Sequence, residues 1–208
     1  MSDDIILILE LIGTIAFAAS GAAVGITKKM DIFGIMVLGL TTATGGGIVR
    51  DLILGNTPPA TFTNPVYALV SALVSVAVFL PFIRKFSEKY RKVYDLIMLI
   101  MDSIGLAIFT VVGVSVTFSK LPDAGLFLLT FVGCMTGVGG GILRDVFANE
   151  LPYVFTKHFY ACASILGALA CAVLWKYSSP AVAMISGFLI TLALRLLAAK
   201  YRWSLPKA

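Results

Sequence analysis

Apolar runs of membrane-spanning length follow one another along almost the whole chain, broken only by short polar stretches. They lie near residues 5–27, 32–54, 65–83, 95–117, 124–147, 158–176 and 180–199. A soluble helix needs polar residues recurring with each turn to cover its outer face, and these runs lack them. Composition agrees: 59% of the 208 residues are hydrophobic, 13% are charged, and the mean hydropathy is +0.99. A soluble domain is only about 45–50% apolar. Irregular backbone cannot face lipid, and each run approaches the roughly 20 helical residues that cross a bilayer. The chain is therefore expected to be an all-α integral membrane protein of seven transmembrane helices.

The leading Met1-Ser2-Asp3-Asp4 lacks the basic start of a cleaved secretory signal, so the first helix is expected to stay. Cys134, Cys162 and Cys171 lie inside apolar runs, at spacings that suit neither a metal site nor a disulfide framework, and read as small core residues. The net charge of +5 reports topology rather than nucleic-acid binding. With seven spans, one face carries only Arg50, Lys120 and Lys176 of the 16 basic residues. The opposite face carries Lys28, Lys29, Arg84, Lys85, Lys89, Arg91, Lys92, Arg144, Lys157, Arg195, Lys200, Arg202 and Lys207. The positive-inside rule makes that second face cytoplasmic, placing the N-terminus outside and the C-terminus inside an inner (plasma) membrane.

The most specific signal is an internal repeat. Gly45-Gly46-Gly47-Ile48-Val49-Arg50-Asp51 returns as Gly139-Gly140-Gly141-Ile142-Leu143-Arg144-Asp145, and Pro58 and Pro152 follow at equal distances. Glu10, Gly13, Phe17 and Gly21 return at the same spacing as Asp102, Gly105, Phe109 and Gly113, and Asp31 aligns with Asp123. Each copy holds three helices, an odd number, so the copies enter the membrane from opposite sides. The chain divides into repeat one (1–83), a basic junction (84–94), repeat two (95–176) and a seventh helix (180–199). Inverted repeats of this kind are a transporter architecture, with the pathway between the halves.

Three successive glycines in an apolar helix cost roughly 1 kcal/mol each against alanine. The expected compensation is a kink that opens helices two and five at Gly45 to Gly47 and Gly139 to Gly141, freeing backbone groups to line a wet path. Close packing is the other use of glycine, and Gly21-x-x-x-Gly25 and Gly133-x-x-x-Gly137 fit it. Arg50 and Arg144 follow the two triplets and need buried partners. Adjacent residues on a helix do not face each other, which favours Glu10–Arg50 and Asp102–Arg144, with Asp51 and Asp145 as alternatives. Their role is either to lock helices together or to gate a path. Lys157 and His158 are explained by snorkelling and headgroup contact. The basic run at 84–92 sets topology, with anionic headgroups a secondary use. No phosphate loop, HExxH or GxSxG is present, so no enzyme, catalytic residue, metal or cofactor is expected.

The doubled Gly-Gly-Gly-x-x-Arg-Asp and its following prolines resemble the prokaryotic branch of the trimeric intracellular cation channel (TRIC) family, which overlaps a membrane family described as glycine transporters. The resemblance spans nearly the whole chain. It implies a homotrimer in which every protomer has its own cation pathway, with potassium preferred over sodium and membrane lipids as neighbours. In that reading freed carbonyls and the hydroxyls of Thr41, Thr42, Thr44 and Thr136 replace water around the ion, and Arg50 and Arg144 are neutralised gates. In a competing reading, helix ends and one arginine hold the carboxylate of glycine or another small neutral amino acid in a carrier. A scaffold without transport is the third.

Overall fold

The computed structural model describes residues 3–83, 89–156 and 159–203. The chain is helical throughout these parts: α1 Asp3–Thr27, α2 Ile32–Ile53, α3 Ala60–Thr63, α4 Val66–Phe79, α5 Arg91–Lys120, α6 Leu126–Phe147, α7 Tyr153–Thr156, α8 Tyr160–Tyr177 and α9 Pro180–Tyr201. Arg84, Lys85, Lys157, His158 and Lys207, expected to set topology or contact headgroups, lie outside the described residues.

Six of these helices are long and apolar enough to cross a membrane. The segment expected at 65–83 forms only the 14-residue α4. At about 1.5 Å per residue it covers roughly 21 Å, short of a hydrocarbon core of about 30 Å. Pro81 is the reason: it follows the helix cap Leu80, whose ψ of 142° has already left the helical region. Helix α5 begins at Arg91, within the stretch 84–94 read as a junction.

Local chemistry sets several ends. Asp31 caps α2 by accepting the Gly34 N–H at 2.7 Å, and Ser179 caps α9 with Pro180 in its first turn. Past α2 the chain turns at Gly55 with φ +69°, and past α6 at Asn149 with φ 53°. Those are residues that adopt the left-handed conformation with least penalty.

Helices α2 and α6 cross at the centre, flanked by α1 and α5; α4 packs on α1 and α2, while α8 packs on α6 and α9. The seams between them are lined by alanine, glycine, serine and threonine, which allow close backbone approach where no hydrophobic force joins helices in lipid. Large apolar side chains such as Phe33, Leu73, Phe127 and Ile185 point outward. The centre is doubled like the sequence. A Cβ on Gly13 would press on the Phe109 ring and one on Gly105 would strike Phe17, and these two rings stand 5.3 Å apart.

The glycine triplets correct an expectation. Both α2 and α6 run through them as uninterrupted helix, so no turn is opened there. A Cβ on Gly46 would collide with the Thr136 carbonyl, and one on Gly140 with the Thr42 carbonyl. The missing side chains are thus used for the crossing itself, the close-packing use of glycine rather than the opening of a turn. The hydroxyls of Thr41, Thr42, Thr44 and Thr136 each donate to the carbonyl one turn back, at 2.6–2.8 Å. Thr42 and Thr136 are fully buried, the latter against Gly113. Gly21 and Gly25 press on Thr42 and Ile35, and Gly133 and Gly137 on Val114 and Thr110.

Candidate functional site

Each Arg-Asp pair closes its helix with a buried clamp. At the end of α2, Arg50 Nε donates to Asp51 Oδ1 at 2.8 Å and Nη1 to Glu10 Oε1 of α1 at 3.0 Å. The second oxygen of Asp51 accepts the Ala60 N–H at the start of α3, 2.9 Å away. The Tyr67 hydroxyl of α4 donates to Glu10 Oε2 at 2.5 Å. One guanidinium therefore gathers four helices.

The end of α6 repeats the design. Arg144 Nε donates to Asp145 Oδ1 at 2.8 Å and Nη1 to Asp102 Oδ1 at 2.5 Å, while Asp145 Oδ2 accepts the Tyr153 N–H at 2.8 Å. The clamp adds Ser20, whose Oγ accepts from Arg144 Nη1 at 2.7 Å and donates to Asp102 Oδ1 at 3.2 Å. Arginine and its neighbouring aspartate pair directly in both copies, against the argument from helical spacing. The aspartate sits in the last helical turn with one oxygen turned to the next helix, leaving the other for the curled guanidinium.

The two sites differ in charge and in saturation. Arg50 and Arg144 are 4% and 1% exposed, and charges so buried persist only with paired, hydrogen-bonded partners. Arg50 faces two carboxylates, Glu10 and Asp51, leaving one negative charge in excess. Around Arg144 the carboxylates of Asp102 and Asp145 are balanced by a second buried guanidinium, Arg195 of α9, stacked 4.9 Å from the centre of the Tyr160 ring. Asp102 Oδ2, Arg144 Nη2 and the Tyr160 hydroxyl make no protein hydrogen bond, whereas both oxygens of Glu10 are engaged.

Cavities enter toward both clamps from opposite ends of α1 and α5. One, of about 560 Å³, is lined by Glu10, Arg50, Asp51, Asn56, Tyr67 and Ser119. A smaller space of about 20 Å³ continues inward beside Thr14, Thr44, Gly47 and Phe109. The other, of about 400 Å³, is lined by Ser20, Asp95, Asp102, Arg144, Tyr153 and Arg195. Phe17, Phe109 and the crossing at Gly46 and Gly140 stand between them. Of the residues singled out in the sequence, Glu10, Arg50, Asp51, Thr44 and Gly47 border the first cavity and its extension, and Asp102 and Arg144 the second. Gly45, Gly46, Gly139 and Gly140 lie in the helix crossing, and Gly141 beneath Tyr160.

Sequence reasoning missed Ser20, Tyr67, Tyr153, Tyr160 and Arg195. Three of these carry a usable signal: Tyr67-x-x-x-Ser71 returns as Tyr160-x-x-x-Ser164 in the second repeat, and Arg195 is the one charge within the last apolar run, 180–199.

Comparison with known proteins gives the same doubling. The family model described as "Glycine transporter" matches residues 7–82 and again 99–176. The UPF0126 inner membrane protein YadS of Escherichia coli K12 is 35% identical over 203 residues, covering 95% of this chain and 93% of YadS. A crystal structure of a prokaryotic TRIC channel in 0.5 M KCl superposes with a TM-score of 0.87 at 33% identity, over 98% of this chain and 100% of that one. The TRIC trimeric intracellular cation channel orthologue from Rhodobacter sphaeroides gives 0.86 at 32%, over 96% and 99%. These are membrane proteins and channels, in line with a chain that is not an enzyme. The chain belongs to this family, the prokaryotic TRIC proteins whose model is described as glycine transporters.

Proposed function

We propose that the protein is a monovalent cation channel, potassium-preferring, with a pathway inside each protomer of a homotrimer. The observation that carries this is the pair of cavities that enter from opposite ends and stop at the two arginine clamps, the first of which holds an excess carboxylate. That excess removes the objection that arginines repel a cation, because Glu10 and Asp51 together outweigh Arg50. The relatives described as cation channels support the same reading. In it, α4 with the turn at 81–83 completes a seventh crossing, the halves are inverted repeats flanking the junction, and the N-terminus lies outside an inner membrane. Opening is a shift of α2 against α6 at their crossing, joining the cavities past Phe17 and Phe109. Arg50, Asp51, Arg144 and Asp145 gate that path, with Glu10 and Asp102 supporting them and lipids surrounding the bundle.

One observation favours a second reading, a carrier for glycine or another small neutral amino acid. Asp102 Oδ2 and Arg144 Nη2 leave an acceptor and a donor unused beside the second cavity, the complement of an ammonium and a carboxylate. Purified protein in liposomes separates the two: the channel reading expects potassium flux that rises linearly with concentration. Saturable uptake of labelled glycine without potassium flux would replace it with the carrier.

A further inference from the structure

The mouths of the two cavities are crossed by equivalent contacts between the repeats. Lys28, just past α1, reaches Glu150, just past α6, at 2.9 Å. Its counterpart Lys120, at the end of α5, donates to the side-chain oxygen of Asn56, just past α2. Glu150 lines the second cavity and Asn56 the first. Each contact joins the first helix of one repeat to the glycine-rich helix of the other, so the two are reciprocal as well as equivalent.

The acceptor side of each contact is fixed to the clamp beneath it. The Asn56 N–H donates to the Asp51 carbonyl at 2.7 Å, and the Glu150 N–H to the Asp145 carbonyl at 2.8 Å. The turns at Gly55 and Asn149 set both. Asp51 and Asp145 in turn hold Arg50 and Arg144. The lysine side is fixed to the helix crossing, since α1 and α5 press Gly21 and Gly113 onto Thr42 and Thr136. Displacing α2 or α6 therefore pulls directly on these contacts.

We propose that Lys28–Glu150 and Lys120–Asn56 are a pair of latches that hold the two cavities in their narrowed form and resist the opening of the pathway. This rests on the channel reading for its consequence in flux, and it adds an asymmetry. The Lys28–Glu150 latch is an ion pair, which salt screens, whereas Lys120–Asn56 is an ion–dipole contact, which salt affects less.

The test uses full-length protein with its three cysteines replaced by alanine and Met98, which lines the second cavity, replaced by cysteine. Labelling by a water-soluble maleimide and potassium flux from liposomes are measured together. Glu150→Gln should raise both by roughly two- to fivefold, the range an exposed ion pair of this kind supports. The charge swap Lys28→Glu with Glu150→Lys should restore wild-type values, and Asn56→Asp, which turns the other contact into an ion pair, should lower flux. High salt should speed labelling of the wild type but not of Glu150→Gln. Equal labelling rates for wild type and Glu150→Gln would overturn the latch whatever the flux. Absence of potassium flux from the wild type would overturn the channel reading alone, since labelling still decides the latch.

Discussion

Gly46 of α2 lies against the backbone carbonyl of Thr136 in α6, so close that a side chain at Gly46 would have to displace the helix opposite. The equivalent contact places Gly140 on the Thr42 carbonyl, which makes the crossing of α2 and α6 a two-sided approach of backbone to backbone.

Gly46→Ala is therefore expected to lower stability by about 1–3 kcal/mol, the usual cost of overpacking a tight contact. Gly47→Ala provides the contrast, because its Cβ would meet only Arg50 Nη2 at an ordinary 3.9 Å. There the gain in helix propensity, about 1 kcal/mol, should leave the protein as stable as the wild type or more so. Thermal melting in detergent distinguishes the two; equal losses would contradict the assignment of the crossing to Gly46.

Asp51 holds Arg50 with one oxygen and the start of α3 with the other. Asp51→Ala removes both and leaves Arg50 with a single carboxylate, an expected loss of about 3–5 kcal/mol as for a broken buried pair. Asp51→Asn keeps an acceptor for one of the two partners and should lose distinctly less. Unfolding midpoints of the purified variants check the order.

Tyr67 and Tyr160 are equivalent in sequence but not in bonding. Tyr67 donates to Glu10 Oε2, and Tyr160 makes no hydrogen bond through its hydroxyl. Tyr67→Phe should cost about 1.5–3 kcal/mol, the range for a bond to a charged group. Tyr160→Phe removes no protein hydrogen bond and should shift the same melting curve far less.

Arg195 adds a second guanidinium to the carboxylate-lined second cavity. On the channel reading, Arg195→Gln leaves that cavity one negative charge richer and should raise cation selectivity, read as a reversal potential shifted toward the potassium value in a KCl gradient. A shift the other way would show that Arg195 does not set the charge of the path.

The membrane class and the doubled Arg-Asp motif were legible because each is written in local pattern: long apolar runs, and a seven-residue string that occurs twice. What the glycines do was not. A triplet in a helix looks the same whether the helix opens or a neighbour closes on it, and only the Thr136 and Thr42 carbonyls decide. Arg195 was only half legible for a related reason, since a charge one turn from the end of the last apolar run suits a headgroup contact equally well until Tyr160 is seen beneath it. Ser20 gave no sign at all, because small hydroxyls are common in membrane helices and its partners Asp102 and Arg144 come from the other repeat.

Single-channel recording of the purified protein in a planar bilayer under a KCl gradient tests the account most directly. It should give discrete currents reversing toward the potassium equilibrium potential, with a smaller shift for Glu10→Gln, which removes the excess carboxylate of the first clamp. A silent bilayer, with the same preparation accumulating labelled glycine saturably in liposomes, would contradict it.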